Sequence, residues 1–422
     1  MRVFKFGGAS VNSIERIRNM AAILKNHSGE KILVIVSAMG KTTNALEKVA
    51  EAFHAGRKDD ALTLFGQVKT HHQEMAKYLL VRNALSTEKQ LLNTFTEVEW
   101  LLHDKPVREY DYYYDQIVCA GELLSTQLIS AFLDESGIGN TWIDVRDVFR
   151  TDNHFREANI DWDITLQQVK DTVLPAFRQN DLVITQGFIG ATSENESTTL
   201  GREGSDYTAA IFANMLDASD QTIWKDVEGV MNGDPKLVSD AVIIRELNYD
   251  EVIEMAFYGA QVIHPKTIKP LQNKNIPLFV KCFLDPQLPG TIIHNRVLHD
   301  LPPMIVWKLN QALIHLHSRD FSFVGERPLA SLYEIFAAHN MRPNLIQTGA
   351  VSLQFCVDDR PDKTDRFAHD ASGMFDVNIE KGLIMLTVRH YREGMVEKLA
   401  AGRKIILKQQ TPETIQVLMK VE

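Results

Sequence analysis

Residues 3–11 read VFKFGGASV, an apolar run carrying one lysine and ending in a pair of glycines. A strand that stops in glycines either turns tightly or lets backbone N–H groups approach an anion, and Gly7 and Gly8 alone do not separate the two readings. The flanking sequence is more informative. SIERIRNMAAILKN (13–26) places Ile14, Ile17, Met20, Ala21 and Leu24 on one helical face, and KILVIVSAMG (31–40) is a second β-branched run. Together these segments predict a β-α-β unit, and with it a parallel sheet.

The pattern continues. TWIDV (141–145), DLVITQGFIG (181–190), QTIWKDV (221–227) and IPLFVKCFL (276–284) read as further short strands, separated by helical stretches such as YYYDQIVCAGELLSTQLISAFL (112–133) and DEVIEMAFYGAQVIH (250–264). This alternation predicts an α/β fold, a three-layer αβα sandwich around a largely parallel central sheet. Residues from about 45 to 135 are helical in pattern with charged faces and no strand candidate, which predicts a helical insertion or lid. After Pro302 and Pro303 the texture changes to shorter strands and fewer helices, so the expected boundaries are 1–296 and 304–422.

The 422 residues are 45% hydrophobic and 24% charged, as in ordinary globular proteins. With a formal net charge of −10, nothing in the balance points to a nucleic-acid binder, so an anionic ligand must be held by local positive groups. Cys119, Cys282 and Cys356 are scattered and odd in number, which argues against a disulfide framework or zinc site and for a reducing compartment, with the cytoplasm expected. The first residues enter a strand without a charged-then-apolar leader, and no membrane-spanning run is expected.

Four glycine-bearing junctions follow predicted strands: KFGGAS, VSAMGKTTN, QGFIGAT and LGREGSDYTAA. In a parallel sheet all carboxyl ends of the strands lie on one edge, so these junctions converge on one crevice. No G-x-x-x-x-G-K-[ST] is present, and no G-x-G-x-x-G opens the first helix. The lysine precedes the glycines instead, and that order sets the site apart from a Walker loop.

These motifs resemble the amino acid kinase family and, within it, the aspartate kinases. Residues 5–11 match K-F-G-G-T-S-V except that Ala9 replaces threonine, and residues 201–209 match G-R-G-G-S-D-Y-T/S-A except for Glu203. GAQVIHPKT (259–267) is similar to G-A-K-V-L-H-P-x-T, with Gln261 for lysine, and DPQLPGTII (285–293) is similar to D-P-x-x-x-G-T.

The resemblance implies phosphoryl transfer from MgATP to the side-chain carboxylate of L-aspartate. It assigns Lys5 and Asp206 to catalysis, and Lys5, Gly7, Gly8, Ser10, Lys225, Asp226 and Lys236 to ATP. Ser37, Thr43, Glu122, Arg202, Gly204 and Ser205 fall to the amino acid substrate, and no side chain is assigned to the metal. Lys225, Met231 and Lys236 replace the family's threonine, tyrosine and arginine near the nucleotide. Read from the residues alone, Asp206, Thr42 and Thr43 also suit helix caps, and His264 suits a structural role at a helix start.

Residues 304–422 are similar to two entwined ACT units, the second shortened, which implies a homodimer through this region. The family's inhibitor segment reads S-V-D-x-I-x-T-S-E-V-S, whereas this chain has Arg342, Pro343, Asn344 and then LIQTGAVS, with Gly349 and Ala350 replacing serine and glutamate. With Asn344 in place of the aspartate and Ala350 in place of the glutamate, two carboxylates that would pair lysine's ammonium groups are missing, and weak or absent lysine feedback is expected. Other amino acid kinases, such as glutamate 5-kinase, and an inactive amino-acid-sensing module are the competing expectations.

Overall fold

The computed structural model describes residues 1–320 and 322–421. The chain forms two compact units, the first comprising Met1–Val230, Ile243–Ile253 and Val262–Leu298, and the second comprising Met231–Val242, Glu254–Gln261 and the chain from His299 on.

The first unit begins with β1 (Arg2–Phe6), α1 (Ile14–Lys25) and β2 (Ile32–Val36), the expected β-α-β unit. Five helices follow: α2 (Thr42–His54), α3 (Lys58–Leu79), α4 (Ala84–His103), α5 (Tyr110–Val118) and α6 (Ala120–Glu135). Next come β3 (Thr141–Trp142), α7 (Trp162–Gln168), the short α8 (Leu174–Ala176), β4 (Leu182–Gln186), a small hairpin of β5 (Ile189–Ala191) and β6 (Ser197–Thr199), α9 (Gly204–Met215) and β7 (Asp220–Lys225). The last elements of the sheet region are β8 (Glu246–Asn248), α10 (Tyr249–Phe257), α11 (Pro265–Lys274), β9 (Leu278–Cys282) and β10 (Thr291–His294).

The sheet order is β3-β4-β2-β1-β7-β9-β10-β8, parallel throughout except for the β9–β10 pair. β1 is central, and its alternation sorts side chains between faces. Phe4 and Phe6 enter the core shared with α1 and α6, while Lys5 points to the opposite side, toward α9. Each fully buried phenylalanine contributes roughly 1.5–3 kcal/mol, so this alternation fixes the register that sends Lys5 to the ligand side.

The helical segment is not a detached lid. Phe53, Phe65, Phe95, Leu102 and Leu124 belong to the same buried cluster as Phe4 and Phe6. One expectation needs correction: the continuous helical stretch Tyr110–Glu135 is long and apolar enough to cross a membrane. Its apolar window is 78% buried inside the protein, which marks it as a core helix. A second correction concerns residues 250–264, where α10 ends at Phe257 and Gly259 adopts a left-handed φ of 106°.

The second unit is built on β11 (Met304–Ser318), α12 (Glu326–Ala338), β12 (Pro343–Thr348), β13 (Ser352–Asp358), α13 (Pro361–Ala371), β14 (Phe375–Arg389), α14 (Met395–Leu399), β15 (Arg403–Gln410) and β16 (Thr414–Val421). The antiparallel sheet runs β12-β13-β11-β14-β16-β15. Phe336 of α12 stacks on Phe367 of α13 with ring centroids 4.2 Å apart, closing the core beneath the first four strands. The expected shortening holds for α14, which has 5 residues, but not for the strand after it, since β15 has 8 and pairs along β16. In this unit Lys308 donates to Asn344 Oδ1 at 2.6 Å, and Asn344 Nδ2 donates to Asp358 Oδ1 at 2.8 Å.

Candidate active site

The carboxyl ends of β1, β2 and β4 and the start of α9 meet, and each junction glycine has an identifiable neighbour. A Cβ at Gly8 would lie 2.5 Å from the Ala38 carbonyl oxygen, so only glycine lets the loops after β1 and β2 touch. The Gly40 N–H then donates to the Gly8 carbonyl at 3.0 Å. At the end of β4, a Cβ on Gly187 would lie 2.6 Å from Ser205 Cβ, which seats the first turn of α9 against the sheet edge. The chain after Gly7 forms a single 3₁₀ turn, Gly8–Val11, closed by the Ser10 N–H on the Gly7 carbonyl. Ser10 is buried, and its hydroxyl donates to the Trp224 carbonyl at 3.4 Å.

Across this crevice Lys5 Nζ lies 2.7 Å from Asp206 Oδ1, with the two side chains 12% and 4% exposed. A Cβ at Gly7 would come 3.4 Å from the same ammonium, so the glycine leaves the lysine head open on that side. Burial tends to raise the Asp206 carboxyl, but the charges of Lys5 and Lys225 outweigh it and hold the pKa below the ordinary value. Asp206 is therefore ionised, with two cations in range. Lys225, at the end of β7, also donates to the Val262 carbonyl at 3.0 Å, and Asp226 beside it is exposed.

Asp206 does not cap α9 with its side chain. The N-cap is Glu203, a residue with φ 55° where the family pattern has glycine. A left-handed non-glycine residue costs about 1 kcal/mol. The Glu203 carboxylate offsets this by accepting the His264 N–H at 3.0 Å, joining the starts of α9 and α11. His264 itself caps α11, accepting from the Lys266 N–H, in the structural role expected for it. Thr42 and Thr43 sit in the first turn of α2 without a side-chain cap bond, so the capping role does not apply to them.

Arg202 is exposed, and its guanidinium makes no ion pair among the described residues. Gly204 packs against Phe188, where a Cβ would approach to 2.7 Å. Glu122, on α6, is 2% exposed; its Oε1 accepts the Ala38 N–H at 3.3 Å, and its Oε2 has no hydrogen-bond partner. Burial, only partly countered by the Ala38 N–H and by its own backbone, pushes its pKa up to about 8. A buried carboxylate with an open oxygen beside the β2 loop is suited to an incoming cation. Ser37 is half-buried on this loop, and its carbonyl accepts the Ser125 hydroxyl of α6 at 2.8 Å.

The structure thus brings Lys5, Gly7, Gly8, Ser37, Glu122, Gly204, Ser205, Asp206 and Lys225 onto one sheet edge and its facing helices. Lys236 lies in the segment belonging to the second unit and is exposed. Sequence reasoning missed Ala38, whose N–H meets Glu122, and Asp115, a buried carboxylate seven residues before Glu122. The i, i+7 spacing that puts both acids on one helical face was available in the sequence. Among the described residues no group of three or more His, Cys, Asp or Glu could hold a metal ion.

The profile of the amino acid kinase family matches residues 1–282. Lysine-sensitive aspartokinase 3 of Escherichia coli (strain K12) is 33% identical over 398 residues, covering 92% of this chain and 86% of that protein. The chain belongs to the amino acid kinase family and groups with the aspartokinases. An Arabidopsis thaliana chloroplastic bifunctional aspartokinase/homoserine dehydrogenase 2 is 34% identical over 294 residues; the match covers 69% of this chain but only 32% of that longer protein. Among solved structures, E. coli aspartokinase III in complex with aspartate and ADP superposes with a TM-score of 0.82 and 29% identity, over 100% of this chain and 96% of that one. The family assignment covers the glycine-walled crevice, since residues 5–226 lie within the matched region.

Proposed function

We propose that this chain is an ATP-dependent kinase that phosphorylates the side-chain carboxylate of L-aspartate, giving 4-phospho-L-aspartate and ADP, a first step toward lysine, threonine and methionine. The observation that carries this reading is the buried Lys5–Asp206 pair, at 2.7 Å, inside a crevice walled by Gly7, Gly8 and the start of α9. The E. coli relative solved with aspartate and ADP supports the choice of both substrates.

The reaction suits what these residues supply. The nucleophile, an aspartate carboxylate, is ionised at neutral pH and needs no general base. It attacks the γ-phosphorus, the bond to the β,γ-bridging oxygen breaks, and ADP leaves. Positioning and charge neutralisation therefore carry the catalysis. Lys5 neutralises the transferring phosphoryl group, and Asp206, itself ionised, orients the ammonium. Lys225, with Asp226 and Lys236, serves the nucleotide, which enters as its Mg2+ complex. Arg202 receives the substrate α-carboxylate, for which a free planar fork is suited, and Glu122 receives the α-ammonium with its open oxygen. Ser37 and Thr43 flank the reacting carboxylate. The second unit acts as a regulatory region that joins two copies, and the enzyme works in the cytoplasm.

A hydroxamate-trapping assay with MgATP and aspartate, glutamate or N-acetylglutamate tests the reading. Acyl phosphate formed with aspartate alone is expected; none with aspartate overturns it. An amino-acid sensor without catalysis has no use for an ammonium facing a phosphate crevice, so the kinase reading is preferred.

A further inference from the structure

Asp115 lies on α5, fully buried, outside the set of residues given roles above. Its carboxylate gathers three donors: Oδ2 accepts the Arg156 N–H at 2.9 Å and the Thr199 N–H at 2.8 Å, and Oδ1 accepts the Thr199 hydroxyl at 2.7 Å. The Thr199 carbonyl is held from the other side by the Ala158 N–H at 3.0 Å. Both backbone groups of Thr199 are thus fixed, three residues before Arg202.

The second strand of this clamp runs through Arg156. It is a non-glycine residue at φ 69°, a conformation costing about 1 kcal/mol or more that persists only when neighbours enforce it. Its N–H is held by Asp115, and its guanidinium by Asp111 at 3.1 Å and by the Tyr114 ring at 4.4 Å. The Arg156 carbonyl in turn abuts Gly201, where a Cβ would sit 3.3 Å away. Asp115 therefore supports the Thr199–Arg202 segment directly through Thr199 and again through the Arg156 turn. The next two turns of the same helical stretch end at Glu122, so one rigid element carries both supports of the amino acid site.

We infer that Asp115 is a positioning residue for the aspartate subsite, holding the Thr199–Arg202 segment so that Arg202 meets the substrate α-carboxylate in register with Glu122. The inference rests on the proposed role of Arg202. It assigns no contact between Asp115 and the substrate.

Steady-state kinetics of the full-length chain and of Thr199→Val, Thr199→Ser and Asp115→Asn test it. Thr199→Val removes one buried hydrogen bond to the Asp115 carboxyl and keeps the shape, so a rise in KM for aspartate of about tenfold is expected, with kcat and KM for ATP changed less than about threefold. Thr199→Ser, which restores the hydroxyl, returns KM to within about threefold of the parent. A KM for aspartate that stays at the parental value in both Thr199→Val and Asp115→Asn overturns the inference. Equal changes in both KM values and kcat also overturn it, since they mark general loosening. If Asp115→Asn does not fold, Thr199→Val decides alone. Hydrogen exchange of residues 197–206 in the ligand-free protein separates this idea from the functional reading. Should the parent not phosphorylate aspartate, that reading fails. The clamp then stands if Thr199→Val speeds exchange in this segment selectively, and falls if exchange is unchanged.

Discussion

Substituting Glu122 by glutamine tests the electrostatics of the site without any ligand. In the ligand-free fold the Glu122 carboxyl is raised to about 8 by burial, against about 4.3–4.5 in an unfolded chain. Between these values the unfolded chain releases its proton while the folded chain keeps it. Stability therefore falls as pH rises, by up to 1.36 kcal/mol per unit. From pH 6 to pH 8 the loss through Glu122 integrates to about 2 kcal/mol. Asp115, also raised by burial, to about 7, adds about 1.4 kcal/mol in the same direction. Buried His72, depressed to about 4, opposes them by about 0.8 kcal/mol, because it must be charged in the unfolded chain at pH 6.

Glu122→Gln keeps the acceptor for the Ala38 N–H and removes only the titration, so the other contributions cancel in the comparison. Urea unfolding of both proteins at pH 6 and pH 8, followed by the fluorescence of tryptophans including Trp142 and Trp224 of the sheet, measures it. The parent is expected to lose about 2 kcal/mol more than Glu122→Gln across this interval. Equal losses in the two proteins refute a buried, protonated Glu122.

The same protonation predicts that KM for aspartate falls as pH rises from 6.5 toward 8, where Glu122 ionises to receive the ammonium, and that Glu122→Gln both raises KM and flattens this profile. Lys5→Ala is expected to lower kcat by about a thousandfold or more while the fold persists, because Lys225 still faces Asp206; near-normal turnover removes Lys5 from the mechanism. Gly8→Ala places a methyl group 2.5 Å from the Ala38 carbonyl, so a melting point several degrees lower and loss of activity are expected, checked by calorimetry and the hydroxamate assay. Asn344 is a neutral amide that already receives the Lys308 ammonium at 2.6 Å, so free lysine finds no carboxylate at this position and is expected to leave activity unchanged at about millimolar concentration. Inhibition at micromolar lysine contradicts that expectation.

Much of this protein is legible in its sequence. The alternation of VFKF carries Phe4 and Phe6 on one face and Lys5 on the other, because a strand's period is two and one face must be buried, whereas the central place of β1 follows only from its pairing with β2 and β7. The glycine junctions and the apolar faces of the helices predicted a mostly parallel sheet with its crevice at the carboxyl edge. Where local pattern misled, a long-range partner had intervened. Asp206 looked like a helix cap, but Glu203 takes the cap position in a left-handed conformation held by His264, sixty-one residues further on. α10 stops at Phe257 although apolar residues continue to Ile263.

The sequence by itself determined which elements form and which face each one buries, since these follow from short-range periodicity and the cost of exposing apolar surface. Only the tertiary structure decided the electrical state of the site. Asp206 is ionised because the charges of Lys5, about two hundred positions away, and of Lys225 outweigh its burial, whereas Glu122 keeps its proton because packing buries it and the Ala38 N–H counters that only in part.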